Sequence, residues 1–226
     1  MQVLIFLSAF FTMNYTYPIL PKTGKDIQSF VPKGYQILFQ KEVNLNDDKV
    51  KDVAVIIESK TDIPNLKETD HAQKPRILFI LLGKPSGGYD LSVQSNESIM
   101  LSDDGGVFGD PLQELYIMGK TVCVDYYGGS NFKWSYTYKW RFQNSDWFLI
   151  GATYSTMDPF ENKLETYDFN LSTGKAEHSV MPYLEEDEGK PTIKPKTKRF
   201  NPGKKPLYNL KDFKFGENMV YKDIFF

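Results

Sequence analysis

The chain has 226 residues, with 27 Lys and Arg against 29 Asp and Glu. The net charge of −2 supplies no electrostatic pull toward nucleic acid or anionic lipid, and the single cysteine, Cys123, excludes an intrachain disulfide and a zinc site built from several thiolates. A hydrophobic fraction of 41% suits a globular domain, and an aromatic fraction of 15% favours β-structure, because flat rings fill a pleated, half-buried surface.

The N-terminal stretch MQVLIFLSAFF is apolar from Val3 to Phe11 apart from Ser8. It falls short of the ~20 apolar residues that span a bilayer and fits the apolar region of a secretory signal peptide. Residues 1–16 are therefore read as a leader, the mature chain as lacking a transmembrane segment, and its address as secreted or periplasmic. The structural alternative is a buried first strand. The sequons at Asn14, Asn96 and Asn170 matter only in a eukaryotic secretory route.

Pro18, Pro21, Gly24, Pro32 and Gly34 mark an irregular lead-in, within which KDIQSF can form one helical turn. From Tyr35 onward, short apolar runs alternate with Gly, Asn and Asp turns: YQILFQ, VAVIIES, RILFILLG, YDLSVQS, SIMLS, LQELYIM, GKTVCVDYY, WSYTYKWRFQ, WFLIGATYST, KLETYDFNLS and KAEHSV. Runs of this length and spacing predict an all-β fold with minor helix, an antiparallel meander over 17–183, shaped as a propeller-like blade or a curved sheet. In KWSYTYKWRF, Trp134, Tyr136, Tyr138, Trp140 and Phe142 share one face, and Lys133, Ser135, Thr137, Lys139 and Arg141 the other. The aromatic face reads as core, or as a platform on which sugars or bases stack. Residues 184–226 change character. The acidic run Glu185–Glu188 precedes a Pro- and Lys-rich stretch, and the whole reads as a linker and extended C-terminal arm whose LYNLKDFKF and MVYKDIFF can dock back.

Two turn-rich stretches, DDGGVFGDP and YYGGSNFKW, hold Asp103, Asp104, Asp110, Asp125, Asn131 and Trp134, which are the candidate ligand-binding residues. At least one of Gly105, Gly106, Gly128 and Gly129 is expected at positive φ. A glycosidase needs two carboxylates at a set separation, and Asp110 with Asp125 is the pair to consider. Neither His71 nor His178 stands in a metal-ligand spacing, and no G-x-S-x-G or Walker pattern occurs. The preferred reading is a non-catalytic domain that binds a protein or a glycan and not nucleic acid. The alternative is an envelope polysaccharide hydrolase, which requires an open cleft with facing carboxylates.

In VNLNDDKVKDVAVII, Asn44, Asn46, Asp48, Val50 and Asp52 occupy every second position, the spacing by which a short loop offers oxygens to Ca²⁺. The stretch resembles the D-x-[DN]-x-D-G-x-x-D element of FG-GAP and VCBS-like repeats, in which the loop runs directly into a strand such as VAVII. That resemblance implies Asn44, Asn46, Asp48 and Asp52 as side-chain ligands and Val50 as a carbonyl ligand. Asn44 replaces the usual Asp, and Lys49 stands where the pattern has Gly. The competing reading is a polar β-turn. From about Val31 to Ala176 the chain also resembles a group of exported Bacteroidota proteins, which implies a bacterial envelope setting and a β-rich fold and carries no activity.

Overall fold

A computed structural model describes residues 15–64, 66, 72–182 and 195–226. Most of the expected leader, residues 1–14, and the acidic run Glu185–Glu188 lie outside the described residues. Among the described residues no helix is long and apolar enough to cross a membrane.

The fold is all-β, with two open antiparallel sheets. The first holds β1 (Thr23–Gly24), β2 (Tyr35–Val43), β3 (Asp52–Ser59), β4 (Arg76–Gly83) and β5 (Tyr89–Ser95), in the order β1-β5-β4-β3-β2. The second holds β6 (Leu112–Met118), β7 (Thr121–Gly129), β8 (Lys133–Gln143), β9 (Asp146–Asp158), β10 (Lys163–Asn170), β11 (Lys175–Met181) and β12 (Lys196–Phe200), each beside its neighbour in sequence. A small hairpin pairs β13 (Met219–Tyr221) with β14 (Ile224–Phe225). Sequence neighbours pair throughout both meanders except β1, which crosses to the far edge of the first sheet beside β5.

The continuous apolar runs of β3 and β4 follow from burial on both faces. Val53, Val55, Ile57, Ile77, Phe79 and Leu81 face the N-terminal segment, where Leu20 and Phe30 cover them. Ala54, Ile56, Leu78 and Ile80 face the second sheet and its Val122, Val124, Tyr138 and Trp140. The one-turn expectation for KDIQSF is met by a 3-10 helix over Ile27–Phe30, with the Asp26 carboxylate accepting the Ser29 amide at 2.9 Å. This turn stacks Phe30 on Phe79 with ring centroids 6.4 Å apart. The run SIMLS forms no strand; Ser98 to Leu101 are buried in irregular backbone between β5 and β6.

The aromatic strand divides along its length. Tyr138 and Trp140 are wholly buried, while Trp134 and Tyr136 at one end and Phe142 at the other are half-buried. A bulge at Ile150 shifts the register between Lys139 and Trp140, so β9 buries Leu149 on one side of it and Ala152 on the other. The C-terminal residues close the core over this strand. Tyr208 accepts the Leu149 amide at 2.9 Å, a 3-10 turn at Leu210–Asp212 follows, and Phe213 sits edge-on to Trp140 at 4.9 Å. Phe226 contacts Tyr138 at 5.6 Å and is fully buried.

Candidate functional site

The two glycine turns that the sequence singles out lie side by side. The Gly129 amide donates to Gly105 at 2.9 Å, and the Val107 amide to Gly129 at 3.0 Å. Gly106 and Gly129 adopt φ of 68° and 115°, as expected of glycines in such turns. A third turn joins them from the β9–β10 connection. Asp158 accepts the amides of Phe160 and Glu161, and the Phe160 ring meets Phe132 at 5.6 Å. This end of the long sheet displays Val107 (77% exposed), Phe160 (73%), Phe132 (55%) and Phe108 (47%). Asn131 is exposed at the tip of the β7–β8 hairpin beside them.

The carboxylates near these turns are committed to their own surroundings. Asp110 pairs with both terminal nitrogens of Arg76 and accepts the Leu112 amide at 3.0 Å. Arg76 also donates through Nε and Nη2 to Glu58 and through Nη1 to the Met100 carbonyl. Burial pulls the Arg76 guanidinium down, but Asp110 and Glu58 outweigh it and raise its pKa above the usual arginine value. Asp104 accepts the Leu101 amide at 2.8 Å, and Asp103 accepts from the Gln73 side chain. Asp125 points away from the core, because Val124 and Tyr126 on either side of it point in; there it accepts from Thr137 at 2.7 Å and from Tyr116 at 3.4 Å. Among the described residues, Asp110 and Asp125 share no hydrogen-bond partner. Cys123 lies in register between Tyr116 and Lys139, fully buried, and burial pushes its thiol up to about 11.

A second feature comes from strand register. Tyr126, Tyr136, Tyr154, Tyr167 and His178 stand opposite one another on five successive strands, forming one row on the inner face. Tyr136 stacks on Tyr154 at 4.8 Å, and Tyr167 on His178 at 4.3 Å. Next to this row Trp134 lies across Gly128, where an added Cβ would come within 2.4 Å of the indole Cζ2. Glu165 sits beside the row, with Lys163 Nζ at 2.6 Å, His178 Nε2 at 2.7 Å and the Tyr167 hydroxyl at 3.2 Å. Burial pushes the Glu165 carboxyl up, but hydrogen bonds from Lys163 and His178 outweigh it and hold the group below its usual range. Trp134, Tyr154, Lys163 and Glu165 line a groove of about 330 Å³ that opens beside Phe132. Sequence alternation marks Trp134 and can place Lys163, Glu165 and Tyr167 on one face of KLETYDFNLS. It does not supply the register that joins them to Tyr154 and His178.

The Asn/Asp loop is a ladder of side-chain-to-backbone turns. Asn46 accepts the Asp48 amide at 2.9 Å, Asp48 accepts the Val50 amide at 2.7 Å, and the Asn44 side-chain amide donates to the Asp48 carbonyl. Asp52 is wholly buried; it accepts Leu45 at 2.8 Å, Asn46 at 3.3 Å and, through its other oxygen, the Gly83 amide at 3.0 Å. Lys120 donates to the Asn46 carbonyl at 2.6 Å and to the Asp47 carboxylate, and this lysine holds Asp47 below the usual carboxylate range. Among the described residues, Asn44 Oδ1 is buried with no hydrogen-bond partner. That orphaned oxygen fits a cation. Asp52, with both oxygens held by backbone amides, fits a staple of the loop base. Comparison with family models, with curated proteins and with solved structures found no match to this chain.

Proposed function

We propose that this chain is a non-catalytic, exported β-domain that binds a protein or a glycan at a bacterial cell envelope, through the end of the long sheet where its turns meet. One observation carries the reading: turns hydrogen-bonded or in ring contact with one another put Val107, Phe108, Phe132 and Phe160 on a single surface, although burying them would have been favourable. The engagement of Asp110 by Arg76, and of Asp125 by Thr137, supports binding over hydrolysis. The test is co-sedimentation with isolated bacterial envelope. The parent should be retained, and a Val107→Ser/Phe108→Ser/Phe160→Ser variant with an unchanged melting temperature should be released. Equal retention of the two overturns the reading. Release of reducing sugar from envelope polysaccharide, abolished by Asp110→Asn, would favour the hydrolase.

The Asn44–Asp52 loop is proposed as a weak Ca²⁺ site, a reading supported by the unpartnered Asn44 Oδ1. Asn44, Asn46, Asp48 and the Val50 carbonyl would hold the ion, which would supply charge to stiffen the loop and no reaction chemistry.

A further inference from the structure

We infer that the groove beside Trp134 takes an uncharged oligosaccharide; this rests on the binding reading above and names its ligand class. Three features of the groove select that chemistry.

The first is an aromatic wall. The Cζ2–Cη2 edge of the Trp134 indole lies over Gly128, and Trp134 and Tyr154 both line the groove. Flat aromatic walls match the apolar C–H faces of pyranose rings.

The second is a preset hydrogen-bonding pair. Glu165 receives three donors, from Lys163, His178 and Tyr167. A carboxylate offers about four lone-pair sites, so one acceptor position remains for a ligand hydroxyl. The Lys163 ammonium gives one of its three protons to Glu165 and can present another to the adjoining hydroxyl. An acceptor and a donor within 2.6 Å of each other match two neighbouring hydroxyls of a sugar, and the surrounding hydrogen bonds fix Glu165 before the ligand arrives.

The third is charge. The groove is lined by Lys133 and Lys163 against Asp158, Glu161 and Glu165, two positive and three negative, a sum of −1. The groove offers no net positive charge to hold a phosphate-bearing or uronic-acid chain. Its volume of about 330 Å³ lies at the lower end of the range for small-ligand sites and accommodates a short saccharide segment.

The test is calorimetric and NMR titration of the full chain with cellotetraose, chitotetraose, xylotetraose and mannotetraose, with oligothymidylate and oligogalacturonate as charged counterparts. Trp140 and Trp147 are wholly buried, so of the three indole N–H signals only that of Trp134 should move on binding. At least one neutral tetrasaccharide should shift it, and Trp134→Ala and Glu165→Gln should each weaken that binding by about tenfold or more. Glu165→Gln conserves volume, so it reports on the contact even where Trp134→Ala unfolds. The inference is overturned by an unmoved Trp134 signal across all four sugars at millimolar concentration, by unchanged affinity in Glu165→Gln, or by preference for a charged chain. Envelope retention that survives such a result leaves the broader binding reading standing, while loss of both overturns the two together.

Discussion

Glu58 and Arg76 face each other across the β3–β4 ladder, both almost wholly buried, with guanidinium Nε and Nη2 donating to the same Glu58 oxygen at 2.9 and 2.7 Å. Asp110 and the Met100 carbonyl take the remaining donors, so one side chain ties the first sheet to the loop that leads into the second. Removing the cation leaves the buried Glu58 carboxylate without its counter-charge, held by a long bond from the Gln36 side chain at 3.4 Å. Arg76→Met should therefore lower stability by about 3–5 kcal/mol in urea unfolding. Asp110→Asn should cost less, since the Asp110 side chain is 46% exposed. Adding Glu58→Gln to Arg76→Met should recover part of the loss. An Arg76→Met midpoint equal to that of the parent would show that this network is not holding the sheets.

Arg76 shows which parts of the fold were legible in the sequence. The meander follows from the spacing of apolar runs and turns, and each run from YQILFQ to KAEHSV except SIMLS forms a strand. The run RILFILLG reads as a strand, but nothing local shows that its first residue carries a buried charge. Its partners lie 18 and 34 positions away. The candidate site divides in the same way. Trp134 and the glycine turns are visible because alternation and turn chemistry are local. Glu165, Lys163 and His178 acquire meaning only through the β9–β10–β11 register, and a shift of one residue would have turned every one of those side chains to the other face.

Gly129 combines a positive φ with close packing in the turn surface. Its φ is 115°, and an added Cβ would stand 2.2 Å from the Phe132 carbonyl oxygen. Gly129→Ala should cost more than ~1 kcal/mol. Gly109 also has positive φ, but its Cβ would meet nothing within 4 Å, so Gly109→Ala should be the milder change. Thermal melts of the pair would check this order, and the reverse order would contradict the packing described for the turns.

The Cys123 thiol, buried and raised to about 11, should be inert in the folded protein. Under native conditions near neutral pH a thiol reagent should react only through opening of the β7–β8 region, and in concentrated urea it should react rapidly and to one equivalent. Rapid labelling of the native protein would show that the Tyr116 and Lys139 cover is loose.

Glu165 should leave a trace on the acid limb of stability. Its folded-state pKa is depressed, so its contribution is fully present above the unfolded carboxyl value and is lost as pH falls through the folded value. Glu165→Gln removes that proton uptake. Between about pH 5 and pH 3 the parent should therefore lose more stability than the variant, measured by urea midpoints across pH. Parallel curves would mean that the bonds from Lys163 and His178 do not favour the carboxylate.

Asp48 and Asp52 should separate ion binding from loop architecture. Asp52 is fully buried and holds three backbone amides without help from a metal, so Asp52→Asn should destabilise equally in chelator and in excess Ca²⁺. Asp48 is exposed and would bring the one formal charge to an ion otherwise met by neutral oxygens, among them the unpartnered Asn44 Oδ1. One charge makes a weak site, roughly 10⁻⁴–10⁻³ M, in the range of extracellular modules. The Lys120 ammonium on the Asn46 carbonyl weakens it further by placing a positive charge at the loop. Ligand linkage raises stability by RT ln(1 + [L]/Kd), about 1.4 kcal/mol when free Ca²⁺ is about ten times Kd. The parent's melting midpoint should thus rise from chelator to millimolar Ca²⁺, while Asp48→Asn should show a flat response from a near-parental starting value. A parent whose midpoint is the same in both solutions would reduce the loop to a polar turn clamped by Asp52. A response that persists undiminished in Asp48→Asn would place any bound ion elsewhere on the chain.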